Sequence, residues 1–165
     1  MIGETICDID EEVVPKSEAE IDAFQTENDL VLPELFRQIL LETNGGYLRD
    51  KYLNSKENNT QADIEELFGI YEEDLDWASS IVPLPRWIEH KHQIYESYPS
   101  LEDLEKLNGS LARYFVFSAS RSEFYLLDYT DSKHCKRVCH LDLVNGDRTI
   151  STLGDDLSCI LPSVS

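Results

Sequence analysis

Residues 30–46, LVLPELFRQILLETNGG, constrain the chain most. Pro33 suits the first position of a helix, where its missing N–H would have no partner inside the helix. Glu34 then falls in the first turn, where a negative charge complements the helix dipole. Leu32, Phe36, Ile39 and Leu40 recur at helical spacing, which gives the helix one apolar face. Asn44-Gly45-Gly46 stops it, because glycine reaches the left-handed conformation that satisfies the last carbonyls. A helix so marked must lay its apolar side on a core.

At 165 residues the chain can enclose such a core as one domain, with residues 1–16 as a lead-in segment. No run of eighteen apolar residues occurs, so no membrane-spanning helix is expected. The opening MIGETICDIDEEVV is acidic and lacks the basic and apolar regions of a secretion signal, which points to the cytoplasm. Four cysteines fit reduced thiols there, and a chain of this size does not need a disulfide scaffold.

Charge is the strongest compositional signal. The formal net charge is −19, and it is uneven: residues 1–82 carry 21 acidic against 5 basic side chains, and residues 83–165 carry 12 against 9. Such a field repels nucleic acid and anionic membrane and attracts a basic partner.

Along the chain, Ser17-Glu18-Ala19-Glu20 has the spacing of a capping box and starts a helix with Ile21 and Phe24 inside. A short link leads to the second helix, so the two should pack together. Residues 47–54 and 64–71 read as strands separated by a polar loop at 55–61. Residues 72–77 break the second strand with charge. Residues 86–98 show helical spacing, with Trp87, Ile94, Tyr95 and Tyr98 on one side and Pro99 as the stop. Ser100 can cap a short helix at 101–107. Strands follow at 114–118, 123–129 and 136–143, the first two joined by SASRS. In the third, Val138 and His140 face one way and Cys139, Leu141 and Leu143 the other. Ile150, Leu153, Leu157 and Leu161 return to helical spacing and predict a closing helix stopped by Pro162. The expected fold is α+β: a twisted antiparallel sheet packed against N-terminal helices and a C-terminal helix.

Catalytic motifs are poor. The chain has no phosphate loop, dinucleotide fingerprint or nucleophile elbow. His90, His92, Cys135, Cys139 and His140 are the right types for a metal, but positions four apart on a strand lie about 13 Å apart, too far for one ion. Cys139 or Cys135 beside His140 makes a poor nucleophile pair, since adjacent strand residues point to opposite faces. No enzyme activity, metal or cofactor is expected.

Residues 18–24, then Leu32-Pro33-Glu34, Phe36, Leu40 and Asn44-Gly45-Gly46, resemble the opening of the SUKH superfamily, the Smi/Knr-like immunity proteins. Residues 64–70 are similar to a family strand that often carries L-F-G. Residues 114–128 resemble its central hairpin, although SASRS stands where a Gly/Asp-rich turn is common, and residues 150–161 resemble its closing helix. The stretch 83–108 is longer than the family usually carries there. The resemblance implies a binding module. Many bacterial members neutralise polymorphic or contact-dependent toxins, often nucleases; eukaryotic relatives are regulatory scaffolds in cell-wall signalling. A nuclease needs a basic cleft for phosphates, and an acidic inhibitor is steered to it. The partner expected is thus a basic protein toxin, with no nucleic acid or membrane, and the sequence leaves the oligomeric state open. The scaffold role, binding signalling or cell-wall-related proteins, is the alternative.

The expected contact is the run Asp63, Glu65, Glu66, Tyr71, Glu72, Glu73, Asp74, Asp76 and Trp77. Its carboxylates have no Lys or Arg among them, and aromatic anchors flank the densest part. The competing reading is a solvated charged loop. RWIEHKH at 86–92 is a local basic island that reads as decoration on a helix.

Overall fold

The computed structural model describes residues 14–47, 64, 66–71, 80–95, 97–120 and 122–159. Helix α1 (Glu18–Asn28) starts as its spacing predicts: the Ser17 hydroxyl accepts from the Glu20 N–H, and the Glu20 carboxylate accepts from the Ser17 N–H, both at 3.2 Å. Asp29 ends it in the left-handed conformation, φ 52°. The last carbonyls are also met from outside, as Arg113 donates to the oxygens of Asn28 and Asp29 at 2.7 Å each. A cation there complements the negative helix end.

Helix α2 (Glu34–Thr43) buries Phe36, Ile39 and Leu40. Pro33 stands one position earlier than expected: it is the N-cap residue, with extended ψ of 141°, and Glu34 is the first helical residue. The stop also differs, since Asn44 is the left-handed cap at φ 51° and Gly45 continues at φ 82°.

Two short strands, β1 (Gly46–Tyr47) and β2 (Glu66–Leu67), pair antiparallel. The main sheet is antiparallel, in the order β3 (Val82–Pro83), β4 (Tyr114–Ala119), β5 (Glu123–Asp128), β6 (Val138–Asp142), β7 (Ser151–Gly154). Proline is tolerated in β3 because that strand lies at the edge. Successive residues of β4 and β5 are buried, so both faces of the hairpin are covered. Phe36 of α2 meets Phe117 edge-on at 6.0 Å. Phe68, Trp87 and Phe124 form an aromatic column with neighbouring centroids 5.7 and 5.8 Å apart.

Helix α3 (Leu84–Ile94) begins earlier and ends earlier than its pattern suggests. It buries Leu84, Trp87 and Ile88, whereas Ile94 and Tyr95 are exposed, so the expected single apolar side does not exist. Helix α4 (Leu101–Asn108) is capped by the Ser100 hydroxyl as expected.

The α+β architecture stands, with four α-helices among the described residues, but the closing helix is corrected. Ser151–Gly154 is the edge strand β7, and among the described residues a single 3-10 turn, Leu157–Cys159, follows. Thr152 pairs with Cys139 and Ser151 with His140, which satisfies backbone groups that β6 would otherwise leave open. Leu157 is buried, and Ile150 and Leu153 pack on the core, so the apolar spacing is real but belongs to a strand and a turn. Leu161 and Pro162 lie outside the described residues, as do residues 1–13, the loop at 55–61, residues 48–54 of the first predicted strand and residues 72–77. In β6 the expected alternation is blurred: Val138, Cys139 and Leu141 are all buried, as is Leu143 just beyond, while His140 is half-buried against Glu123 at 3.1 Å.

The sheet is fastened by a buried charge. Asp128 is fully buried at the end of β5, where it accepts from Arg137 Nε at 2.6 Å and from the Thr130 hydroxyl at 2.6 Å. Arg137 also donates to Thr152 Oγ1 of β7.

Candidate partner-binding site

The two glycine-bearing motifs singled out in the sequence meet in space. The Asn44 side chain donates to the Ile70 carbonyl at 3.1 Å and accepts from the Ile70 N–H at 2.9 Å, so it acts like a strand partner for residue 70. Gly45 lies where any Cβ would stand within 3.0 Å of the Leu67 and Phe68 carbonyls. A Cβ on Gly69 would overlap the backbone oxygen of Asn44. Glycine at both positions is therefore a requirement of contact.

Residues 66–70 are held from the other side as well. The Phe68 N–H donates to Phe117 O at 2.8 Å, and Ser118 Oγ donates to Glu66 O at 2.5 Å. Gly69 then bridges to Ser80, and the Ile81 N–H donates to Gly69 O at 2.9 Å. Residues 69 and 80–81 thus stand side by side at the root of the segment between them.

At that root lies a groove of about 670 Å³. Glu20, Phe24 and Glu27 of α1 form one wall; Ile70, Tyr71 and Arg86 are on the other. The helix supplies these residues because positions 20, 24 and 27 fall on one face. Lys16 lies 3.1 Å from Glu20, and the Ser17 N–H followed by Lys16 holds the Glu20 carboxyl below the usual carboxylate range. The groove is therefore mixed in charge over an apolar floor, a composition suited to the margin of a protein contact.

Of the nine expected contact residues, two are among those described. Tyr71 lines the groove; Glu66 sits half-buried in β2 and does not line it. Asp63, Glu65, Glu72, Glu73, Asp74, Asp76 and Trp77 lie outside the described residues. Phe24, Glu27 and Asn44 were not singled out as contact or junction side chains, although the i, i+4, i+7 spacing of Glu20, Phe24 and Glu27 carried the signal. In the basic island, Trp87 and Ile88 are core residues, and burial lowers the Lys91 amine from its ordinary value.

The two described thiols, Cys135 and Cys139, are poor nucleophiles. Cys139 is buried, which pushes its thiol up to about 12. Burial also raises that of Cys135, whose Sγ faces the Arg137 carbonyl at 3.3 Å. Among the described residues no three His, Cys, Asp or Glu side chains are placed to hold a metal ion. No helix among them is long and apolar enough to cross a membrane.

The model of the SMI1 / KNR4 family (SUKH-1) matches residues 15–161. None of the curated proteins matches the chain.

Proposed function

The chain belongs to the SMI1 / KNR4 family (SUKH-1), and from that premise we propose that it is a cytoplasmic, non-catalytic immunity protein, acting as one domain, that binds and neutralises a cognate protein toxin. The toxin in this reading is basic and of nuclease type. The observation that carries the choice is the lopsided charge, with 21 acidic against 5 basic side chains in residues 1–82. A nuclease gathers cations in its cleft to hold phosphates, and an acidic surface competes for that cleft and speeds encounter.

The contact proposed is the segment Asp63, Glu65, Glu66, Tyr71, Glu72, Glu73, Asp74, Asp76 and Trp77, together with the groove at its root. Tyr71 belongs to both. An aromatic anchor over an apolar floor, beside a dense run of carboxylates, combines the two ingredients of a tight interface.

The test is capture and rescue. The chain is used to pull down the product of the neighbouring upstream gene, and the two are co-expressed. Rescue of growth by the chain is the expected result. Reversing Glu73, Asp74 and Asp76 to Lys should weaken the complex by at least about tenfold, since close charge pairs across such an interface couple by about 1.5 kcal/mol or more. Its urea midpoint should not move. Unchanged affinity of the triple variant by calorimetry rejects the patch. Failure of the chain to protect against any neighbouring gene product rejects the immunity reading in favour of a regulatory scaffold.

A further inference from the structure

A second cavity, of about 330 Å³, lies between the α1–α2 link and the end of β7. Its apolar side is Val31, Leu32, Pro33 and Cys135, and its polar rim is Glu34, His134, Asp155 and Asp156. No Lys or Arg among the described residues lines it. We propose that this cavity takes an arginine side chain projected by the protein partner, with the aliphatic stem on the apolar side and the guanidinium among the three carboxylates. The proposal deepens the toxin-binding reading and rests on it for the source of the arginine.

Three features point to that occupant. The walls are preformed: the Val31 N–H donates to Lys133 O at 2.7 Å, Tyr129 Oη donates to Val31 O at 3.0 Å, and Val31 bridges to His134. A pocket fixed before binding spares the complex the cost of ordering it. The carboxylates are not gathered tightly enough for a metal, since no three ligand-type side chains among the described residues could share an ion. Spread charge around an apolar floor instead matches a long side chain with a flat, delocalised cation at its tip. On the rim, the hydroxyl of Ser158 followed by its N–H lowers the Asp156 carboxyl, and among the described residues the Glu34 carboxylate accepts from the neutral Gln38 amide and pairs with no Lys or Arg. Charge complementarity with a basic partner extends to this cavity, which residues 66–71 do not line.

The experiment is an NMR titration of the full chain with N-acetyl-arginine amide, and in parallel with the matching citrulline and lysine amides. Saturable amide shifts at Leu32, Glu34, His134 and Asp155 are expected from the arginine probe, several-fold weaker ones from lysine and none from citrulline. The Glu34→Gln/Asp155→Asn double variant should lose at least fivefold in probe affinity and in partner affinity. Glu89→Gln, on the exposed side of α3, should change neither. Equal shifts from citrulline, or no saturation at these residues, overturns the cavity as a cation site. Unaltered partner affinity in a folded double variant overturns the partner as the source of the arginine. The probe titration needs no toxin, so failure of the immunity reading leaves its outcome intact and the two are told apart.

Discussion

Asn44 carries three tasks at one position. It adopts φ 51°, its N–H closes α2 on Leu40 O, and its amide both donates to and accepts from Ile70. Aspartate would keep the first two and lose the donor; glycine would keep the conformation and lose both side-chain bonds. Asn44→Ala should cost about 2–3 kcal/mol in urea unfolding, because two backbone groups lose their partner and the left-handed cap becomes strained. Asn44→Asp should cost less. Gly69→Ala should cost about 1–3 kcal/mol by overpacking against residue 44. Asp128 gives a different signature. Burial opposes its charge, yet the Thr130 hydroxyl and Arg137 outweigh that and hold its carboxyl below the usual range. Its folded form therefore titrates below the unfolded value of about 3.9. The stability it adds is complete above that value and is lost as pH falls through the lower, folded one. Asp128→Asn should cost about 3 kcal/mol at neutral pH, the low end for a broken buried pair because Arg137 keeps some solvent. It should also flatten the acid limb of stability measured from pH 5 downward.

The two helix starts capped by a serine hydroxyl, at Ser17 and Ser100, were legible, because that signal is local. The capping box at Ser17 and Glu20 forms bond for bond as spaced, and Ser17→Ala should lower stability by about 1 kcal/mol in thermal unfolding. The other end of α1 was not legible. Arg113 reaches it from 84 residues away, and nothing around position 113 announces a helix terminus. Arg113→Met keeps much of the stem and removes the cap; it should cost about 1.5–3 kcal/mol, as expected for hydrogen bonds to a charged group. The closing segment was misread for the opposite reason. Ile150, Leu153 and Leu157 fit a helical period, but Ser151 and Thr152 find partners on β6, and a sheet edge outweighs a weak local preference broken by Gly154. In α3 the period ran past the true end, since Ile94 and Tyr95 are apolar without being covered. The hairpin of β4 and β5 was read from its aromatic and aliphatic runs, which suit strands buried on both faces.

Across the whole molecule, the dominant physical property is a net charge of −19. Association with a basic partner should slow steeply as salt rises from 20 to about 300 mM, where the Debye length falls from roughly 20 to 6 Å. Dissociation should change far less, and stopped-flow mixing separates the two. The acidic bias and the run at 63–77 were visible in the sequence; the groove was not, because its walls come from α1, residues 70–71 and residues 80–86, which only the tertiary contacts bring together. The bridge between Gly69 and Ser80 has a further effect on how such a chain can diverge. A segment whose two feet stand side by side on a fixed base can be rewritten without loosening the base, as lengthening a closed loop even twofold costs only about 0.6 kcal/mol. Sequence between the two feet is then free to change, while Asn44, Gly45 and Gly69, which form that base, stay locked together.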